Sequence, residues 1–434
     1  MNEKLPLREA PPCLSRLDGM AGSFTLLDSR QSLPRTRYGA EMTNWKLLDV
    51  SWSQRRFELK KEKSKKGKAA DQKGGSFMAD ATMNLLRELT EAPGISGYEQ
   101  EVREIIRKHL QAITTIEQDR LGSIVCRKNG EVENPRIMLA GHMDEIGFIV
   151  KLVTDEGFIK FSPLGGWWGH VMLAQRVVIK TRKGDVIGLI GSKPPHILSE
   201  EERKKLQEPK DMYIDIGAIS SAEVKELGIS PGDPVIPICP FTVLGTGKTY
   251  LAKAFDDRVG CALFIEVIKN LRQEKHPNTV YGVGTVQEEV GLRGARTSSW
   301  VVEPDVGLTM EVGVAGDVPD VKKDDAQGKL GKGPVIVIRD GSMVPNLRLR
   351  DLFVETAEKL KIPYQFDMLE RGGTDSGAIH LHRHGVPNLV IAVPTRHIHS
   401  HAGIIYRDDF DHAVRLVTAV IKKLDADTVA SLTE

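Results

Sequence analysis

A layered α/β domain interrupted by a small β-rich module is the fold class that this chain predicts, on three observations. From Leu251 to the C-terminus, strand-like runs alternate with helical periodicity, the pattern of stacked α/β layers. Over residues 147–240 that alternation gives way to short β-branched runs separated by Gly, Pro and Asp turns. Groups of histidine and carboxylate residues recur at or just beyond the ends of the expected strands, where ligands bind in open α/β sheets.

The elements follow in order. Residues 1–77 form a basic leader, with 16 Lys and Arg against 9 Asp and Glu. They show no sustained periodicity and end in a lysine-rich run before Gly74-Gly75. Such composition predicts a disordered leader outside the native core, or an over-called start with the real one at Met78 or Met83; the alternative is an electrostatic tether to an acidic surface. Residues 79–91 have helical spacing and stop at Pro93-Gly94. Residues 96–113 read as a second amphipathic helix opening with a capping box, Ser96 and Glu99. Strands are expected over 122–127, 135–140 and 146–153. Inside the module, 176–181, 186–190 and 235–238 read as strands, and the charged stretch 197–209 as a short helix or loop. Beyond it come a helix over 257–271, a strand over 279–286, a helix over 293–302 and a strand over 306–312. A strand at 334–339, a helix at 347–360, a buried strand at 388–393 and a closing helix at 408–424 complete the chain. The catalytic domain is therefore expected over 78–146 plus 241–434, with the β module inserted at 147–240.

Composition narrows the function classes. The chain has 434 residues, 40% hydrophobic and 27% charged, as soluble globular proteins do. No apolar run reaches the roughly 18 residues that a membrane helix needs. Cys13, Cys126, Cys239 and Cys261 are scattered, with no CxxC pair, and read as free thiols of a reducing compartment. With no secretory pattern at the N-terminus, the expected location is the cytoplasm. The net charge of +1 divides into +7 for the leader and −6 for the rest, so the body lacks the basic surface that nucleic acid needs.

Five clusters carry the chemistry. They are Gly141-His142-Met143-Asp144-Glu145, Ala254-Phe255-Asp256-Asp257-Arg258, Gln287-Glu288-Glu289-Val290-Gly291, Glu311 at the end of the apolar run 306–310, and His397-Ile398-His399-Ser400-His401. Each has a bland reading. An HxD is usually a surface turn, Asp256-Asp257 a helix N-cap, and Glu288-Glu289 a solvated pair. His397, His399 and His401 alternate along a β-like stretch. Glu311 is harder to dismiss, because a buried carboxylate needs partners. Taken together, the clusters suit divalent Zn²⁺, Co²⁺ or Mn²⁺. One carboxylate could bridge two ions, and one member of the Glu288-Glu289 pair would stay free as a base.

The ordered motifs GHMDE, AFDDR, QEEVGLRGA, MEVGVAGDVP, GGTDSGAIH and PTRHIHS resemble the M42 family of metalloaminopeptidases, which includes tetrahedral (TET), glutamyl and deblocking aminopeptidases. The resemblance runs from about Met78 to the C-terminus. It implies a zinc-peptidase-like α/β catalytic domain with an inserted dimerisation domain. Two divalent metal ions per subunit, Zn²⁺ or Co²⁺, are implied, with His142 and Glu311 on one, Glu289 and His399 on the other and Asp256 bridging. Glu288 would be the general base, and Asp144 would orient His142. Peptides with a free N-terminus are the implied substrates, and homo-oligomers, from dimers to a tetrahedral dodecamer, the implied assembly. Glu311 stands where the family often has Asp, His397 where it frequently has Tyr, and residues 1–77 have no counterpart. A different reading is an endo-1,4-β-glucanase-type glycosidase using paired carboxylates, and a third is a non-catalytic metal-binding scaffold. Aromatic residues make up only 6% of the chain, few for sugar platforms. The sequence leaves acidic, basic and neutral first residues open, with a lean to a broad or neutral preference.

Overall fold

In the computed structural model residues 80–434 are described; the leader expected over residues 1–77 lies outside them. The described chain opens on two amphipathic helices, α1 (Ala81–Glu91) and α2 (Gln100–Leu110). Asp80 caps α1 by accepting from the Met83 amide, and Leu85, Leu86 and Leu89 form its buried stripe. The second helix starts later than expected, and Ser96 and Glu99 do not form a capping box. Ser96 donates to Asp144, and Glu99 accepts from the Gly97 and Gln287 amides. Both side chains are buried, so partners across the fold displace the local cap.

Strands β1 (Thr115–Gln118), β2 (Ile124–Lys128) and β3 (Arg136–His142) begin a large sheet. The chain then leaves it. Strands β4 (Gly147–Val153), β5 (Ile159–Leu164), β6 (Arg176–Thr181), β7 (Gly184–Gly191), β8 (Tyr213–Asp215) and β9 (Pro234–Pro237) close a barrel in the order β4-β5-β8-β7-β6-β9. Phe148, Ile159, Phe161, Ile179, Ile214 and Val235 fill it. Two short helices, α3 (Glu200–Lys204) and α4 (Ser221–Glu226), lie in its connections; α3 falls in the charged stretch and carries a capping box of Ser199 and Glu202.

The chain returns through β10 (Thr242–Val243) and β11 (Thr249–Ala252). Then come α5 (Phe255–Asn270), β12 (Thr279–Thr285), α6 (Arg293–Val302), β13 (Val306–Val314), β14 (Val335–Arg339), α7 (Leu347–Leu360), β15 (Gln365–Met368) and α8 (Ser376–Ile379). Strands β16 (Asn388–Arg396) and β17 (Gly403–Tyr406) and helices α9 (Arg407–Ile421) and α10 (Ala426–Ser431) end it. The sheet runs β1-β2-β12-β3-β13-β16-β17-β11-β10, with β14 and β15 branching from β16. Its centre, β12-β3-β13-β16, is parallel. Every residue of β12 is buried, as a strand covered on both faces requires. Phe264, Ile268, Phe353, Phe410 and Val417 pack from α5, α7 and α9 on one face, and Ala295, Val302 and Ile379 from α6 and α8 on the other.

Glu311 is not at a strand end. Pairing of β13 with β16 continues through Glu311↔Ala392 to Val314↔Thr395, so the carboxylate rises from within the strand. The histidine stretch is not β-like either: β16 stops at Arg396, and His397 and His399 both have positive φ.

Candidate active site

The carboxyl ends of the four central parallel strands lie side by side. His142 is the last residue of β3. The loop after β12 carries Glu288 and Glu289, β13 carries Glu311, and the turn after β16 carries His399. Asp256 enters from the start of α5. Its neighbour Asp257 does the helix-capping work expected of that pair: one oxygen accepts the Gly260 amide at 2.9 Å, the other the His142 amide at 3.1 Å. A Cβ on Gly260 would stand 2.3 Å from Asp257 Oδ2 and 2.4 Å from the Met310 carbonyl, so only glycine admits this approach.

Asp256 is the centre of the cluster. Its Oδ1 lies 3.1 Å from His142 Nε2 and its Oδ2 3.4 Å from His399 Nε2. Both imidazoles are oriented from behind. His142 Nδ1 lies 2.8 Å from the Asp144 carbonyl, and His399 Nδ1 2.8 Å from the Gly166 carbonyl. A carbonyl can only accept, so each Nδ1 carries a hydrogen and each Nε2 is the ring atom turned inward, where loss of its proton would present a lone pair to a metal. Two compact donor groups result, within 4.8 Å: His142 with Glu288 and Glu311, and His142 with Asp256 and Glu289. His399 belongs to neither group; its Nε2 lies beside Asp256, and the charge of Glu289 also acts on it.

Asp144 has a wider role than orienting an imidazole. The bond to His142 Nδ1 comes from its backbone carbonyl, and its carboxylate is 3.6 Å away. That carboxylate instead accepts the Glu288 amide at 2.9 Å, the Glu289 amide at 3.2 Å and the Ser96 hydroxyl at 2.6 Å. Sequence reasoning missed Ser96 and Glu99 as site neighbours; Asp375 lies in the GGTDSGAIH motif but was given no role. Asp375 is buried, accepts from Thr285 at the end of β12 and has one oxygen without a partner. Local spacing disguised Ser96 and Glu99 as a cap; only contacts distant in sequence reveal them.

The electrostatics fit a cation. Burial pushes Glu288 and Glu311 well above the carboxylate range, and carboxylate neighbours add to this. Burial and Asp256 raise Glu289 to about 8. Burial pushes Asp256 up, but the His142 hydrogen bond and the His399 charge more than offset this and hold it low. Burial alone would lower His142, yet Glu288, Asp144, Asp256 and Glu311 raise it well above its usual value. Burial and Asp144 lift Glu99 to about 7. So many carboxylates in a dry pocket repel one another, and a divalent cation is the group that relieves this. The donor set is imidazole and carboxylate, the mixture that Zn²⁺ and Co²⁺ take.

Strained backbone gathers here. Of ten non-glycine residues with positive φ among the described residues, Ala254, Gln287, Leu292, His397 and His399 flank the cluster. Such conformations persist where the surroundings over-determine them, often at active sites. Next to His399 a cleft of about 750 Å³ opens, walled by Trp167, Trp168, Val171, Ile398 and His401.

Comparison with known proteins gives a consistent result. The family model described as M42 glutamyl aminopeptidase matches residues 122–416. The glutamyl aminopeptidase of Lactococcus lactis subsp. cremoris (strain MG1363) is 35% identical, over 80% of this chain and 98% of its own. The lysyl aminopeptidase of Pyrococcus furiosus is 32% identical, over 78% and 96%. The crystal structure of a TET aminopeptidase from Thaumarchaeota archaeon SCGC AB-539-E09 is 48% identical with a TM-score of 0.80, covering 82% of this chain and 99% of that one. A Pyrococcus horikoshii TET1 peptidase that assembles into a tetrahedron or a large octahedral shell is 33% identical with a TM-score of 0.71, over 79% and 100%. A Thermotoga maritima structure named as an endoglucanase is 28% identical with a TM-score of 0.65, over 80% and 99%.

Proposed function

The chain belongs to the M42 glutamyl aminopeptidase family and is a peptidase, and from that premise we propose that it removes N-terminal residues from peptides with two divalent metal ions. The observation that carries this reading is Asp256, which offers one oxygen toward the Nε2 of each of two imidazoles. His142 and Glu311 would hold one ion, Glu289 and His399 the other, with Asp256 shared. When bound, such ions polarise a scissile carbonyl and acidify water.

The chain's own groups do the rest. Glu288 lies at the rim of the first donor group, 3.9 Å from His142 Nε2. Its carboxylate takes the proton of the attacking water and passes it to the departing amine. Asp144 holds the two amides on either side of that catalytic side chain's peptide, so Glu288 meets the water in a fixed orientation. The cleft beside His399 has no carboxylate, Lys or Arg among its walls, so it suits neutral, apolar side chains of the substrate.

Glu288→Gln is expected to retain metal and lose turnover, and chelation to abolish activity until Zn²⁺ or Co²⁺ is restored. Turnover of aminoacyl-p-nitroanilides that survives either treatment counts against the proposal. The glycosidase reading is disfavoured by the donor set: an acid–base pair of carboxyls needs no imidazoles, whereas His142 and His399 both turn Nε2 to Asp256. Carboxymethylcellulose hydrolysis insensitive to chelator would favour it instead. Metal bound without turnover of any aminoacyl-p-nitroanilide would favour the scaffold reading. Residues 147–240 are proposed as the dimerisation domain of a homo-oligomer, since Leu152, Ile187 and Leu189 are exposed on its strands. No helix among the described residues is long and apolar enough to cross a membrane, and the cytoplasm is the proposed location.

A further inference from the structure

Glu99 occupies the N-cap position of α2 yet makes no side-chain cap bond to its own helix. It is only 4% exposed. Its Oε1 accepts two amides, Gly97 at 2.7 Å and Gln287 at 3.1 Å, the second from 188 residues along the chain. The next two amides of that loop, Glu288 and Glu289, both go to Asp144, which Ser96 also holds. Three consecutive backbone donors therefore end on two buried carboxylates.

The first of the three residues, Gln287, has φ of +55°, a left-handed conformation disfavoured for any residue with a Cβ. Such a residue stays put when its surroundings dictate it. The Glu99 bond is what fixes its amide. We propose that Glu99 is a positioning residue, which locks Gln287 in its left-handed turn and so aims Glu288 and Glu289. This rests on the roles proposed above for Glu288 and Glu289. Glu99 touches neither the metal donors nor the cleft. Its contribution acts through the loop.

The required property is one acceptor oxygen at the right reach, not a charge. A glutamine carbonyl oxygen has two lone pairs and can accept both amides. Its NH₂ group would then take the place of the carboxylate oxygen that Asp144 repels. An aspartate keeps the charge but is one methylene too short. The test uses the metal-loaded full chain with a neutral aminoacyl-p-nitroanilide, comparing Glu99→Gln, Glu99→Asp and Glu99→Ala. Glu99→Gln is expected within about threefold of wild-type kcat. Glu99→Asp and Glu99→Ala are expected to lose roughly 10- to 100-fold in kcat, the usual cost of removing an outer support of a metal site, with KM nearly unchanged. Wild-type kcat in Glu99→Asp overturns the proposal, as does Glu99→Gln impaired as deeply as Glu99→Asp. If Glu99→Ala does not fold, the Gln and Asp variants decide alone. Glu288→Gln is assayed in parallel: turnover there overturns the proposed base, whereas the Glu99 series separately reads the loop.

Discussion

Replacing Asp144 with asparagine isolates how much the loop geometry is worth. Asp144 is fully buried, and although burial pushes its pKa up, its partners, led by His142, hold it below the ordinary value, so the group is ionised at neutral pH. Its Oδ1 accepts the Glu288 amide; its Oδ2 accepts the Glu289 amide and the Ser96 hydroxyl. Asparagine offers one oxygen and one NH₂. The serine hydroxyl can reverse and accept from that NH₂, but a backbone amide cannot. Whichever way the side chain turns, one of the two amides faces a donor. A buried donor left without an acceptor costs about 1–3 kcal/mol, which at about 1.4 kcal/mol per decade is roughly 5- to 150-fold. If the loop carries the base, that loss falls on kcat, with KM little changed. The assay is steady-state kinetics of the metal-saturated variant beside a thermal melt. A lowered Tm with wild-type kcat would show that Asp144 merely holds the fold together, and the reasoning would fail.

Other outcomes follow from the same coordinates. Trp168→Ala is expected to lower kcat/KM for large apolar first residues by at least about threefold while sparing alanine, because its ring walls the cleft beside His399; equal losses on both substrates would dissociate that cleft from specificity. Gly260→Ala is expected to cost at least about 3 kcal/mol, since its Cβ would overlap Asp257 and the Met310 carbonyl; a wild-type denaturation midpoint would refute this. Burial raises Asp409 from 3.8 to about 6, with Asp408 and Asp317 adding to it against the Gly331 and Gly333 amides. A raised acid stabilises the fold below its unfolded pKa, and that contribution is lost as pH rises through the folded value. The stability of wild type relative to Asp409→Asn is thus expected to fall by up to about 3 kcal/mol between pH 4 and 7; a difference independent of pH would contradict the assignment.

Much of this architecture was legible because its signals are local. Helix α7 matches its predicted limits, and β6 does too, since periodicity and β-branching decide both without outside help. Strands β1 and β15 escaped notice: β1 is short and mostly exposed, so it lacks the apolar alternation that marks a strand. The residues drawn into the cluster were visible as types, His142, Glu288, Glu289 and His399 near strand ends, although Glu311 rises from within β13 and Asp256 from a helix start. Their second layer was not. Ser96 and Glu99 have the spacing of a capping box, and nothing in the neighbouring residues says that Asp144 will claim the first and a loop beyond residue 285 the second. The turn geometry of His397 and His399 was likewise hidden, because positive φ at histidine has no compositional mark.

The Gly166 carbonyl belongs to the excursion between β5 and β6, yet it steers an imidazole contributed by the far end of the chain. A Cβ on the preceding Gly165 would sit 3.0 Å from Glu289 Oε2. The barrel is therefore no detachable appendage. Excising it to make a minimal hydrolase would free the His399 ring to rotate, and transplanting a relative's barrel would succeed only if its two-glycine hinge arrived with the same curvature.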